Sequence, residues 1–375
     1  MKPYTIRPAA PGDLGAIMQL YDHSRRLMRE AGNAVQWVNG YPSEALVAND
    51  IRLRQSYVVC DGATVAGVFA FIAGRDATYA HIEGGQWEAD ERPYATLHRI
   101  ARREGSHGIL RACVDWCRGQ ATSLRIDTHE ANRRMMHLVE QCGFRYCGII
   151  YVADGTPRRA YQMLDTQTLC KPLVAYVEQE ILPRYAAFDS AHRRDHAERV
   201  IRHSLELAQR YGADRNMAYA IAAYHDTGLV EGRERHHLVS AQILMADKAL
   251  RAWFGESQLQ VMAEAVEDHR ASAQQEPRSL YGRIVAEADR DIEALQIVRR
   301  TVQYGLAHYA ALDSEAHYRR ALGHLQEKYG EGGYLRLWLP ESPNAEGLRE
   351  LRRLIADEAA LRAAFEQIYA EERSK

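Results

Sequence analysis

The spacing of apolar positions changes character near residue 165. Before it, short alternating or continuous apolar runs predict strands at 4–7, 57–60, 65–72, 95–101, 124–127, 144–152 and 159–164, the second and third joined as a hairpin through Asp61 and Gly62. Between them, i, i+3, i+4 spacing predicts helices over 13–30, with Leu14, Ile17, Leu20 and Tyr21 on one face, over 109–118, and over 132–141, ended by Gly143. Beyond residue 165 the period-two signal is gone. Helical spacing then runs through 170–188, 190–211, 215–226, 235–248, 257–268, 279–311, 314–328 and 346–370. The chain therefore reads as two domains, α/β over 1–165 and all-α over 166–375, with a boundary near 166–171 that holds no long Gly/Ser linker.

At 375 residues the chain is long for one core, which agrees with that division. A net charge of −2 offers no electrostatic footprint for nucleic acid or an anionic membrane, so small-molecule substrates are expected and neither of those partners is. The first residues lack an apolar signal core, and no run reaches the ~18 apolar residues of a membrane span. A cytoplasmic setting is expected. All six cysteines precede residue 171 with no CxxC, as small buried apolar residues would, whereas ten of the sixteen histidines lie between His192 and His324.

Those histidines carry the chemistry of the second half. His196, the dipeptide His225-Asp226, the pair His236/His237, His269 and Asp289 each sit in or beside an apolar helical pattern. A lone histidine there is ordinarily a hydrogen-bonded core residue, but burying this many imidazoles and carboxylates without a cation is costly. His225 ends the apolar run 218–224 and Gly228 supplies a helix stop just after it, which holds two ligand types at one helix end. His196 followed by Arg199-Val200, His225-Asp226 placed 29 positions later, and Ala288-Asp289 further on resemble the HD superfamily of metal-dependent phosphohydrolases. The resemblance implies that His196, His225, Asp226 and Asp289 hold one divalent ion (Mn, Fe, Co, Ni, Zn or Mg). In two-ion members further histidines join, here His236 or its neighbour His237, with His269, and Asp226 bridges the ions as the catalytic carboxylate. Arg193, Arg199, Arg235, Lys248 and Arg270 are nearby cations for substrate phosphates; each reads otherwise as a solvated surface charge.

In the first half, a strand, the loop 102–108 with Gly105 and Gly108, and a helix place free backbone amides where a phosphate can sit. That loop, with Asn132 on the next helix and Gly143-Phe144 after it, resembles the GNAT acetyltransferase family over residues 3–164. The resemblance implies a mixed sheet with helices and acetyl-CoA as cofactor. Pantetheine would lie along Ile100, Ala101 and Arg102, and pyrophosphate on Ser106, His107, Gly108, Ile109 and Leu110, with Asn132 nearby. Leu110 stands where family loops carry glycine, and Val139 where many members carry a tyrosine acid; acid catalysis then falls to His137, Tyr151 or solvent. His98 and Glu83 are the candidate bases for an amine acceptor, with Trp37 and Tyr41 at its mouth.

The expected protein is thus bifunctional, a metal-dependent hydrolase of a phosphoester or phosphoanhydride in a nucleotide or small metabolite, fused to an N-acetyltransferase of a small amine. Two alternatives stand beside it: a first half that only senses coenzyme, and a non-catalytic metal-binding scaffold. The apolar tail from 314 packs onto the helical core or forms a homodimer interface.

Overall fold

The computed structural model describes residues 4–188, 194–270 and 275–374. The chain forms two compact units, residues 1–176 with 248–259 and residues 177–247 with 260–375.

The first unit is built on seven strands: β1 (Thr5–Pro8), β2 (Ser56–Asp61), β3 (Thr64–Ala73), β4 (Ala95–Arg102), β5 (Ser123–Thr128), β6 (Arg145–Tyr151) and β7 (Pro157–Leu164). Their order is β1-β2-β3-β4-β5-β7-β6, antiparallel throughout except for the parallel pair β4 and β5. Helices α1 (Leu14–Glu30), α2 (Glu44–Arg52), α3 (Ile109–Arg118), α4 (Arg133–Gln141) and α5 (Lys171–Tyr176) accompany the sheet. Alternation along the strands divides the apolar side chains between two cores. Val58 and Val68 pack with Ile17, Leu20 and Val47 of α1 and α2, while Val59 and Phe69 pack with Val114 and Cys117 of α3. With both faces covered, these strands read as continuous apolar runs. The apolar spacing did not reveal α2, although Ser43 caps it by accepting the Leu46 amide at 3.2 Å.

Two departures from regular pairing shape this unit. The β4–β5 ladder holds only Ala95 to Leu124 and Thr96 to Arg125, so the strands separate beyond Thr96 and leave the edge of β4 without a strand neighbour. On its other side, two residues of β4, Arg99 and Ile100, oppose the single Phe69 of β3, and Arg99 has φ +52°.

The second unit is helical. It comprises α6 (Arg194–Arg210), α7 (Arg215–Tyr224), α8 (His236–Ala246), the C-terminal part of α9 (Glu256–Asp268), α10 (Leu280–Ala288), α11 (Ala294–His308), α12 (Ser314–Tyr329), α13 (Pro343–Ala356) and α14 (Glu358–Arg373). Asp214 caps α7 through the amides of Asn216 and Met217, and every residue from Asn216 to Tyr224 is buried, which explains its nearly all-apolar sequence. The expected 279–311 helix is broken at Asp289, and that over 346–370 at Asp357, whose side chain caps α14. Periodicity runs through both breaks because both halves bury a face. The 170–188 segment is α-helical only to Tyr176, then winds as a π turn and a 3₁₀ turn. The tail α12 to α14 shares a core with α11, with Val298, Tyr318, Leu351 and Phe365 at its centre.

All six cysteines are free and five are buried. No helix of the described residues is long and apolar enough to cross a membrane.

Candidate functional site

The polar clusters of the second half converge on one carboxylate. His196 lies in the first turn of α6, His225 caps α7 with Asp226 after it, His236 opens α8, His269 follows α9 and Asp289 caps α10. Asp226 Oδ2 is 3.3 Å from His225 Nε2 and 3.5 Å from His196 Nε2. Its Oδ1 is 3.4 Å from His236 Nε2 and 3.5 Å from His269 Nε2. Asp289 Oδ1 joins the first pair at 3.2 Å from His196 Nε2 and 3.8 Å from His225 Nε2. Two triads result, His196/His225/Asp226 and Asp226/His236/His269, each with its ligand atoms within 4.8 Å of one another.

Local packing explains how these side chains are held. The Tyr185 hydroxyl donates to the Ala223 carbonyl at 3.0 Å and accepts the Asp226 amide at 3.3 Å, which fixes the turn that follows α7. Gly228 donates its amide to Ser240 Oγ at 2.8 Å, and an added Cβ there would overlap the backbone of His236 and Ser240. Glycine is needed because α8 lies directly against this turn, which brings His236 to Asp226.

The tautomers show what the centre accepts. Nδ1 of His225, His236 and His269 lies 2.7, 2.8 and 2.5 Å from the carbonyls of Ala222, Arg233 and Val266. A carbonyl only accepts, so each Nδ1 carries the proton and each Nε2 turns a lone pair inward. The His236 and His269 Nε2 atoms are 3.2 Å apart. Facing lone pairs at that distance repel unless positive charge lies between them, and imidazole and carboxylate donors without thiolate fit a divalent ion such as Mn, Fe, Co, Ni or Zn. Burial works against charge on Asp226, yet the imidazoles of His225, His196 and His269 hold its carboxyl well below the usual range. Burial also opposes protonation of His196, but Asp226 and Asp289 lift it to about 9. The same two carboxylates raise His269 against its burial, whereas burial lowers His236. The carboxylates thus draw positive charge to this point.

His237 belongs to neither triad, and its Nδ1 is buried with no hydrogen-bond partner, so of the adjacent pair it is His236 that faces Asp226. Among the expected cations, Arg199 Nη2 is 2.9 Å from His196 Nδ1 and Arg270 Nη1 donates to the Glu234 carbonyl at 3.1 Å. Arg235 is exposed at the start of α8, Lys248 falls in the first unit, and Arg193 lies outside the described residues.

In the first unit a cleft of about 1700 Å³ opens where β4 and β5 part. Residues 100–102, 106–110 and Asn132 all line it. Gly108 (φ +72°) turns the chain into α3, whose first-turn amides have no partner within the helix, while Tyr4 and Arg102 engage the carbonyls of His107 and Ser106 at 2.9 Å each. The Leu110 side chain is buried in the core, so its bulk lies away from the backbone amides. Asn132 caps α4 by accepting the Met135 amide at 3.2 Å.

His98 lines the cleft between two carboxylates that the sequence had not singled out, Asp76 and Asp127. The Asp76 carboxyl lies below the usual range, chiefly through His98 and against its own burial. Glu83 is not brought to the cleft; it is exposed, 3.2 Å from His81 and 2.9 Å from the Tyr151 hydroxyl. Tyr151 and His137 are also absent from the lining, and Val139 is fully buried, so neither side chain is placed to protonate a thiolate there.

The HD domain family matches residues 193–292. Similar solved structures include a GNAT-family acetyltransferase from Streptococcus agalactiae 2603, at 31% identity over 43% of this chain and 95% of that one, with a TM-score of 0.40. A GNAT-family acetyltransferase from Listeria monocytogenes 4b F2365 shares 20% identity over 43% of this chain and 94% of its own, TM-score 0.34. A putative acetyltransferase from Salmonella typhimurium, solved with its cofactor acetyl-CoA, shares 15% over 44% of this chain and 94% of its own, TM-score 0.31. No curated protein matches the chain. With 31% identity across nearly the whole Streptococcus protein, the N-terminal part belongs to the GNAT family of acetyltransferases, and the C-terminal part carries an HD domain.

Proposed function

We infer that the HD domain hydrolyses a phosphoester or phosphoanhydride of a nucleotide or small phosphorylated metabolite, and that the GNAT part transfers an acetyl group from acetyl-CoA to a small amine. One observation carries the hydrolase reading: the two oxygens of Asp226 each face a separate pair of imidazole nitrogens, at 3.3 to 3.5 Å. Asp226 with His196 and His225, and Asp226 with His236 and His269, are the groups that would hold divalent metal. Divalent ions bound there supply water of lowered pKa and neutralise charge growing on phosphoryl oxygens. The chain's own part is to orient the carboxylate, which it does through the Tyr185 hydroxyl and the close approach of α8, and to offer Arg199 and Arg270 as neighbouring cations. The transferase reading is supported by a cleft lined by loop amides, the free edge of β4 and His98.

The test is metal analysis of protein purified without chelator, followed by a screen of nucleotide and generic phosphodiester substrates with Mn, Co, Ni and Mg. Asp226→Ala is expected to lose both bound metal and turnover. Full activity in that variant would show that the ligand assignment is wrong.

A further inference from the structure

The polar groups around His98 are arranged unequally. Its Nδ1 is 3.7 Å from Asp127 Oδ1, an oxygen that already accepts the Tyr79 hydroxyl at 2.5 Å. Tyr79 is buried and the Asp127 side chain is 11% exposed, so this is the inner side. On the other side, His98 Nε2 is 3.7 Å from Asp76 Oδ2, while Asp76 Oδ1 accepts the Thr78 amide at 2.8 Å. Asp76 is 31% exposed, and both it and His98 line the cleft. The strand is distorted at this point: the bulge and the positive φ of Arg99 immediately follow His98, a conformation unfavourable for a residue other than glycine.

A neutral imidazole carries one N–H. With that proton on Nδ1, directed at Asp127, the Nε2 lone pair faces the Asp76 carboxylate, and two acceptors 3.7 Å apart call for a donor with at least two hydrogens between them. An alkylammonium group is such a donor. Taking the transferase reading as its basis, we propose that the acceptor enters as a primary alkylammonium ion bridging His98 Nε2 and Asp76, that His98 removes its proton, and that Asp127 with Tyr79 positions the imidazole.

The chemistry balances without another reactant. One N–H proton passes to His98 Nε2 and later to solvent. The freed nitrogen lone pair forms the N–C bond at the acetyl carbonyl as the C–S bond breaks. The second nitrogen proton leaves with the thiolate's electron pair satisfied as a thiol, delivered through solvent, since no tyrosine stands at Val139. Asp76 contributes to binding the cation and Asp127 to aiming the base, so their substitution separates into different kinetic constants.

The experiment uses the full chain, acetyl-CoA and three acceptor probes at neutral pH: n-butylamine and putrescine, which are ammonium ions there, and aniline, which is not. Thiol release is measured for each, with acetyl-CoA binding by calorimetry in parallel. His98→Ala is expected to lower kcat by about 100-fold with acetyl-CoA binding retained. Asp127→Asn is expected to lower kcat by about 10-fold at unchanged KM, with partial recovery in Asp127→Glu. Asp76→Asn is expected to raise KM for n-butylamine by about 10-fold and leave aniline unchanged, a split that general structural damage does not produce. Unchanged kinetics in the His98 variant, equal effects of Asp76→Asn on both probe classes, or acetyl-CoA binding by the parent without thiol release from any amine each overturn the proposal alone. A parent chain that does not bind acetyl-CoA overturns the transferase reading with it.

Discussion

Asp226 and His236 show how a single side chain acquires its role here. The adjacent histidines at 236 and 237 are chemically identical, yet a helix turns successive side chains by about 100°, so one imidazole reaches Asp226 and the other does not. His236→Ala is therefore expected to remove one equivalent of bound divalent ion, read by elemental analysis, while His237→Ala keeps the parent's metal content. Equal loss in both would mean that the pair is interchangeable. At this scale the imidazoles and carboxylates that meet around Asp226 were legible because residue type and order together are distinctive. The two carboxylates flanking His98 were not, since Asp76 and Asp127 resemble any other aspartate until the fold brings them to one imidazole.

Elements set these positions through their ends and closest approaches. Gly228 read as a helix stop, but its further role is to let the turn after α7 touch α8. Gly228→Ala is expected to cost about 2–3 kcal/mol in denaturant unfolding and to weaken binding of the ion held by His236, because the added methyl pushes α8 outward. In the first unit, Asp165 closes β7. Burial opposes its ionisation, yet the 2.5 Å contact from Arg118 Nε and the amides of Thr168 and Gln167 outweigh it, and its carboxyl lies below the usual range. A carboxyl whose folded pKa is depressed stabilises above its unfolded pKa and loses that contribution as pH falls through the folded one. Asp165→Asn is thus expected to lose about 1–2 kcal/mol at pH 7, with the difference from the parent shrinking below about pH 4 in urea titrations. A difference independent of pH would assign the effect to packing.

For the whole molecule, the chain divides into two compact units, one with the cleft around His98 and one with the His/Asp cluster around Asp226, and the expected signature is two ligand responses. In calorimetry, acetyl-CoA at 100-fold over its Kd adds about 2.7 kcal/mol to the unit that binds it, and a divalent ion acts in the same way on the other. Acetyl-CoA that moves no transition would remove acetyl transfer from the reading. The sequence by itself determined the two-part architecture, because strand and helix periods differ, and it singled out the imidazoles and carboxylates that the fold brings together, because such groups in apolar helices need a common partner. Only the tertiary structure decided which histidine of the pair faces Asp226 and where the helix over 279–311 breaks to present Asp289. It also decided that Glu83 stands outside the cleft while Asp76 and Asp127 flank His98. Those outcomes depend on helix phase, on a bulge in β4 and on strands parting after Thr96, which arise from contacts between segments far apart along the chain and leave no periodic trace in any one of them.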